Sequence, residues 1–186
     1  MTVPAGSHTI GAGRDRLVLR TGRDGMAASA GHDLTIDVTH WSGELTVGAD
    51  SVPTALEVRI DMTSLAVRSG TGGLKPLTDR DKREITSNAR KVLGADRHPE
   101  ATFSDAKFEP AGGGGVISGT LTLAGRSGPV RLAVTAAGDD RFRATGSVVQ
   151  SAFGIKPYSG FFGALKVRDS VDLEIDVDLS QSAGGS

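Results

Sequence analysis

From Val171 to Leu179 every second residue is apolar: Val171, Leu173, Ile175, Val177 and Leu179 alternate with Asp172, Glu174, Asp176 and Asp178. A period of two puts one set on each face of an extended chain, so the segment predicts a strand with one buried and one wet face. The same alternation, less strict, recurs in 34-LTIDVT-39, 56-LEVRIDM-62 and 129-PVRLAV-134, with shorter candidates at 16–20, 43–47, 101–108, 116–123 and 141–149. Turns rich in glycine and aspartate separate them, among them Arg23-Asp24-Gly25, Gly48-Ala49-Asp50, Gly112 to Gly115 and Gly138-Asp139-Asp140. About nine short strands on short connections predict an all-β fold, a sandwich or an up-and-down antiparallel barrel. No linker or repeat interrupts residues 1–180, which read as one domain, and the small polar tail 181–186 reads as disordered.

One segment breaks the pattern. In 78-TDRDKREITSNARKVL-93, Ile85, Ala89 and Val92 or Leu93 recur at helical spacing opposite Arg83, Glu84, Asn88, Arg90 and Lys91. Thr78 and Asp81 have capping-box spacing and Gly94 supplies a stop, so a helix is expected over about 79–93. A closed barrel leaves open ends, and a lone amphipathic helix beside one would serve as a lid or wall segment.

Composition removes several functions. Lys and Arg number 21 and Asp and Glu 22, interspersed, for a net charge of −1, so no basic stripe tracks a nucleic acid and none is expected as a partner. The chain has no Cys, hence no thiol nucleophile or thiolate metal site. His8, His32, His40 and His98 show no metal-ligand spacing, and G-x-S-x-G is absent. The stretch 70-GTGGLK-75 lacks phosphate-loop spacing and reads as a mobile loop. The expectation is therefore no enzyme, no metal and no cofactor. No apolar run spans a bilayer, and the start of this chain shows no secretory pattern, so a cytoplasmic location is expected.

Bulk for filling a barrel is scarce, with six Phe, one Trp and one Tyr against 26 Gly. An aliphatic pore would suit a hydrocarbon chain better than a charged metabolite, because a buried charge needs partners. The segment 153-FGIKPYSGFFGALKV-167 fits neither period and is apolar. Exposed, it would be a gate or a homodimer contact; buried, it would close one end of the barrel.

The order of 98-HPEATFSDAKF-108, 118-SGTLTLAGRSGPVRLAV-134 and 153-FGI-155 before a terminal amphipathic strand resembles the YceI-like family. Arg80-Asp81 match its arginine-aspartate pair, Pro99 and Phe103 its turn and strand, and Gly119, Leu121, Thr122, Gly125, Val130 and Leu132 its central hairpin. The chain departs from the family pattern at Arg14 and Arg16 on the first strand and at Gln150-Ser151 before the late F-G-I. The resemblance implies a lipocalin-like antiparallel β-barrel of about eight main strands. It also implies binding of a polyisoprenoid, an isoprenoid quinone or a fatty chain in the lumen, with the lipid as the only bound group. Candidate lumen or mouth residues are Trp41, Phe103, Leu132, Phe153, Tyr158, Phe161 and Phe162, with Arg80 as a head-group partner. Plain core packing accounts equally for the aromatics, and a first-turn ion pair for Arg80. The competing readings are a ligand-free interaction module acting through residues 153–165 and an enzyme of unrecognised type.

Overall fold

The computed structural model describes residues 3–180. In chain order they form β1 (Gly6–Gly11), β2 (Arg16–Asp24), β3 (Asp33–Val38), β4 (Trp41–Val47), β5 (Pro53–Asp61), β6 (Leu65–Thr71), α1 (Asp79–Val92), β7 (Glu100–Ala111), β8 (Gly114–Leu123), β9 (Arg126–Gly138), β10 (Arg141–Val149), β11 (Ser159–Gly160) and β12 (Leu165–Asp178). Every pairing between these strands is antiparallel. The expected tail at 181–186 lies outside the described residues.

Three pairs of strands are halves of longer, bent ones. β1 pairs with β4 and β2 with β3, so residues 6–24 and 33–47 form one long hairpin with a kink in each arm. Likewise β3 pairs with β6 and β4 with β5. Three composite and five single strands then follow one another around the sheet in chain order, and β12 pairs with β2 to bring the last back to the first. The result is the lipocalin-like barrel, curled from one antiparallel sheet and incompletely closed. β11 is a two-residue appendage on β12.

The kinks are held by side chains that satisfy backbone groups where the ladder breaks. At residues 12–15, Asp15 accepts from Gly11 N at 2.8 Å and from Asp178 N at 2.9 Å. At the facing corner, Ser64 Oγ accepts from His40 N at 3.0 Å and donates to the Asp61 carbonyl at 2.7 Å. The β8–β9 hairpin uses a two-residue turn in which Ala124 (φ 51°) and Gly125 (φ 76°) both lie in the left-handed region, the type I′ geometry whose twist suits a tight hairpin.

Beyond β3, β6 has no second strand, and α1 occupies that side. Thr86 Oγ1 accepts from Val67 N at 3.2 Å, and Arg90 donates to the Leu65 carbonyl at 3.4 Å, so the helix covers an open sheet edge. The predicted capping box is present: Asp81 N donates to Thr78 Oγ1 at 3.2 Å and Thr78 N to Asp81 Oδ2 at 2.8 Å. Gly94 (φ 63°) ends the helix as expected.

The expectation of a loop at 70–75 needs correction at its first two residues, while 72–75 lie outside any strand or helix. Gly70 and Thr71 belong to β6, paired with Leu34 and Asp33. The neighbouring strand supplies an order that this glycine-rich stretch does not announce.

Candidate functional site: an apolar lumen

The inward residues of the barrel do not meet in a solid core. They divide into a wall from β1–β4 and β6, including Ile36, Trp41, Leu45 and Leu65, and a facing wall from β7–β10, including Phe103, Leu121, Val130 and Leu132. α1 touches both, through Ile85 and Ala89 on one side and Val92 on the other. Between the walls lie two cavities. The upper one, at the helix end, measures about 350 Å³, and the lower one about 500 Å³. Both are lined by Leu17, Ile60, Leu121 and Leu173, so the chambers meet at a waist of four aliphatic side chains.

The alternation in the sequence builds these walls directly. Leu173, Ile175 and Val177 of β12 face the lumen, while Glu174, Asp176 and Asp178 pair outside with Arg20, Arg143 and Arg141. No residue of α1 is fully buried although its apolar face points inward. That face packs against both walls and also lines the open space between them.

The chambers differ in chemistry. Apart from Ser51 and the Trp41 indole, the lower one is lined by apolar side chains and glycine. Polar side chains in the upper one are Thr21, Arg23, His32, Asn88, Gln150, Tyr158 and Lys166. Several already have partners: Arg23 donates to the Gly31 carbonyl at 2.6 Å, His32 Nε2 to the Lys75 carbonyl at 2.8 Å, and Gln150 to the Arg168 carbonyl at 3.0 Å. The Trp41 indole N–H is buried with no partner among the described residues. Likewise, no cluster of His, Asp and Glu among the described residues could hold a metal ion.

Of the residues proposed from the sequence, Trp41, Phe103 and Leu132 line the lower chamber and Tyr158 the upper. Phe153 is buried in the wall behind Gly128 and lines neither. Arg80 is exposed on the first turn of α1, and Phe161 and Phe162 are exposed on the loop before β12. The waist residues Leu17, Ile60 and Leu173 and the helix residues Ile85, Ala89 and Val92 are not among the lumen residues proposed from the sequence. The phase of the strand alternation and the apolar face of the helix carry their signal.

The shifted carboxyls hold backbone turns and do not line the lumen. The Thr63 hydroxyl and N–H hold Asp61 below the usual carboxylate range, and those of Thr78 do the same for Asp81. Hydrogen bonds from the Ser180 hydroxyl and N–H, with Arg141 adding to them, lower Asp178 to about 2.

Comparison with known proteins gives a consistent picture. The YceI-like domain profile matches residues 21–179. Similar solved structures include Burkholderia cenocepacia BcnA, with a TM-score of 0.64 and 17% identity over 87% of this chain and 94% of that one. The Campylobacter jejuni YCEI protein has a TM-score of 0.58 and 21% identity over 76% of this chain and 81% of its own. A polyisoprenoid binding domain from Saccharophagus degradans, implicated in plant cell wall breakdown, has a TM-score of 0.55 and 11% identity over 93% and 97%. No curated protein matches the sequence.

Proposed function

The chain belongs to the YceI-like family, and from that premise we propose that it binds a long apolar amphiphile, a polyisoprenoid, an isoprenoid quinone or a fatty chain, inside the barrel. Its role would be to carry or sequester that chain. The observation supporting this most directly is the pair of apolar chambers, about 350 and 500 Å³, meeting at Leu17, Ile60, Leu121 and Leu173. Each falls in the size range of small-molecule pockets. Membership of the family and the likeness to the polyisoprenoid binding domain from Saccharophagus degradans favour binding over catalysis.

Magnitudes favour a long occupant. Each methylene removed from water gains about 0.8 kcal/mol, so about ten of them supply roughly 8 kcal/mol. Association itself costs about 4–15 kcal/mol in lost translational and rotational freedom. A short tail confined to one chamber would keep little net affinity, whereas a chain crossing the waist would gain from both. Charged head groups would stay out of the lower chamber, where they would find no compensating partner.

The test is native mass spectrometry of protein purified from its own host without detergent, followed by organic extraction. A stoichiometric lipid of several hundred daltons is expected. Leu121→Trp, which places an indole at the waist, should abolish retention of long chains while leaving the fold intact by circular dichroism. Undiminished loading of the variant would sink the two-chamber reading.

A further inference from the structure

Large hydrophobic side chains are exposed at few places, and they are not scattered. Among the described residues these are Met26 (96%), Leu74 (80%), Phe161 (67%), Phe162 (113%), Tyr158 (39%) and Val149 (45%). All but Val149 sit on three loop-centred segments, 25–32, 71–78 and 154–168, which take in Thr71 of β6, β11 and the first four residues of β12. Those loops are joined to one another. Ala27 N donates to the Ala164 carbonyl at 2.8 Å and His32 Nε2 to the Lys75 carbonyl at 2.8 Å, while Val167 N donates to the Tyr158 carbonyl at 3.0 Å within the third segment. Together they frame the upper chamber, which is lined by Gly31, His32, Tyr158 and Leu165 from two of them.

Two further features single out this rim. Phe161 (φ 49°) and Phe162 (φ 54°) are consecutive phenylalanines in the left-handed region, a conformation bulky residues rarely adopt, and both rings stand in solvent. Backbone strain spent on exposing apolar rings points to a use for them. Charge is the second feature. The three loops carry Lys75, Lys156, Lys166 and Arg168 and no carboxylate, in a chain of net charge −1. Of the acids at the margins of these segments, Asp33 is in an ion pair with Arg23, Asp24 accepts from Gly25 N, Asp169 accepts from Ser151 N and Oγ, and Asp81 caps α1, while Asp79 is exposed on the first turn of the helix. At the other end of the barrel, loops 48–52 and 138–140 present Asp50, Asp139 and Asp140 and no exposed large hydrophobic residue.

We propose that this rim docks the protein on an anionic lipid bilayer, with Phe161, Phe162, Met26 and Leu74 entering the interface and the four cations meeting lipid phosphates. Aromatic and aliphatic side chains flanked by lysines are the composition of interfacial anchors. A second copy seated on the same rim would bring like charges face to face, which disfavours a dimer there. Docking would hold the mouth of the upper chamber against the membrane, where an apolar chain could pass without crossing water. The proposal extends the lumen reading but can fail independently of it.

The experiment is co-sedimentation of the whole chain with phosphatidylcholine vesicles, with and without phosphatidylglycerol, at low and high salt. Wild type should bind the anionic vesicles, less so at high salt. Phe161→Ser with Phe162→Ser should lower partitioning about tenfold. Lys75→Glu with Lys156→Glu should remove the anionic preference, which keeps the test decisive if the aromatic variant misfolds. Leu121→Trp should bind vesicles as wild type does even when it retains no lipid, so that a failed lumen and a failed rim give different results. Equal partitioning of wild type and both rim variants, or no binding to either vesicle, would overturn the proposal. So would a dimer by light scattering that Phe161→Ser with Phe162→Ser dissociates in a protein indifferent to vesicles.

Discussion

One carboxylate at the bend between β1 and β2 ties together strands that meet only in three dimensions. Asp15 is fully buried at its side chain, and its two oxygens accept from Gly11 N and from Asp178 N, so it joins the bend to the end of β12. Removing a buried acceptor leaves each donor unsatisfied, at about 1–3 kcal/mol apiece. Asp15→Ala should therefore lower stability by about 2–4 kcal/mol in urea denaturation, with Asp15→Asn intermediate because one oxygen remains. A loss below about 1 kcal/mol would mean that water or another group takes over both donors. Nothing in 10-IGAGRDRLVLR-20 marks Asp15 as a tie between strands, because the partner that makes it one, Asp178 N, lies 163 residues further along the chain. The same limit applies to the proposed ligand residues. Aromatic identity led to Phe153, which packs behind the wall, and to Phe161 and Phe162, which face water. Leucines of ordinary appearance form the waist.

Single elements were more legible, since their signals are local. The period of β12, the capping box and glycine stop of α1, and the turns between hairpins all lie within a few residues of what they control. β1 and β6 were not legible: β6 carries only Leu65 and Val67 as inward apolar residues before Ser69-Gly70-Thr71, and it is held by β3 on one edge and α1 on the other. That arrangement makes β6 and α1 sensitive to acid. Asp61 closes the turn before β6 and Asp81 caps the helix, and both have carboxyls lowered from 3.8 by hydrogen bonds that only the folded chain makes. A carboxylate with a depressed folded value stabilises above its unfolded value, and that contribution is lost as pH falls through the folded one. Acidification below 3.8 should thus speed amide exchange in residues 65–92 before it does so in β8 and β9, where no such carboxylate acts. Asp81→Asn should already show faster exchange in α1 at neutral pH. Uniform loosening of the whole barrel with falling pH would refute the assignment.

At the scale of the whole molecule the two ends of the barrel are unlike, and the difference dictates an orientation for any bound amphiphile. The upper chamber is lined by Asn88, Gln150, Tyr158, Arg23 and Lys166, and Tyr158 and Lys166 belong to the basic and apolar rim. The lower chamber offers only Ser51 and the Trp41 indole N–H among aliphatic, aromatic and glycine residues, with no charged side chain, and it ends near acidic loops. A polar or anionic head is stabilised only where hydrogen-bond donors and cations can meet it, and a tail gains wherever apolar surface is removed from water. The chain should therefore enter tail first through the rim, cross the waist, and leave its head beside Asn88 and Tyr158. Two photoreactive analogues of one fatty acid test this, one carrying a diazirine at the tail terminus and the other next to the carboxyl. Peptides containing Phe108 and Phe142, which line the lower chamber, should be labelled by the first, and peptides containing Asn88 or Tyr158 by the second. The reversed pattern would place the mouth at the acidic end and remove the reason for linking ligand entry to the rim. Labelling of upper-chamber peptides by both probes would mean that the waist does not admit a chain, confining the occupant to about 350 Å³.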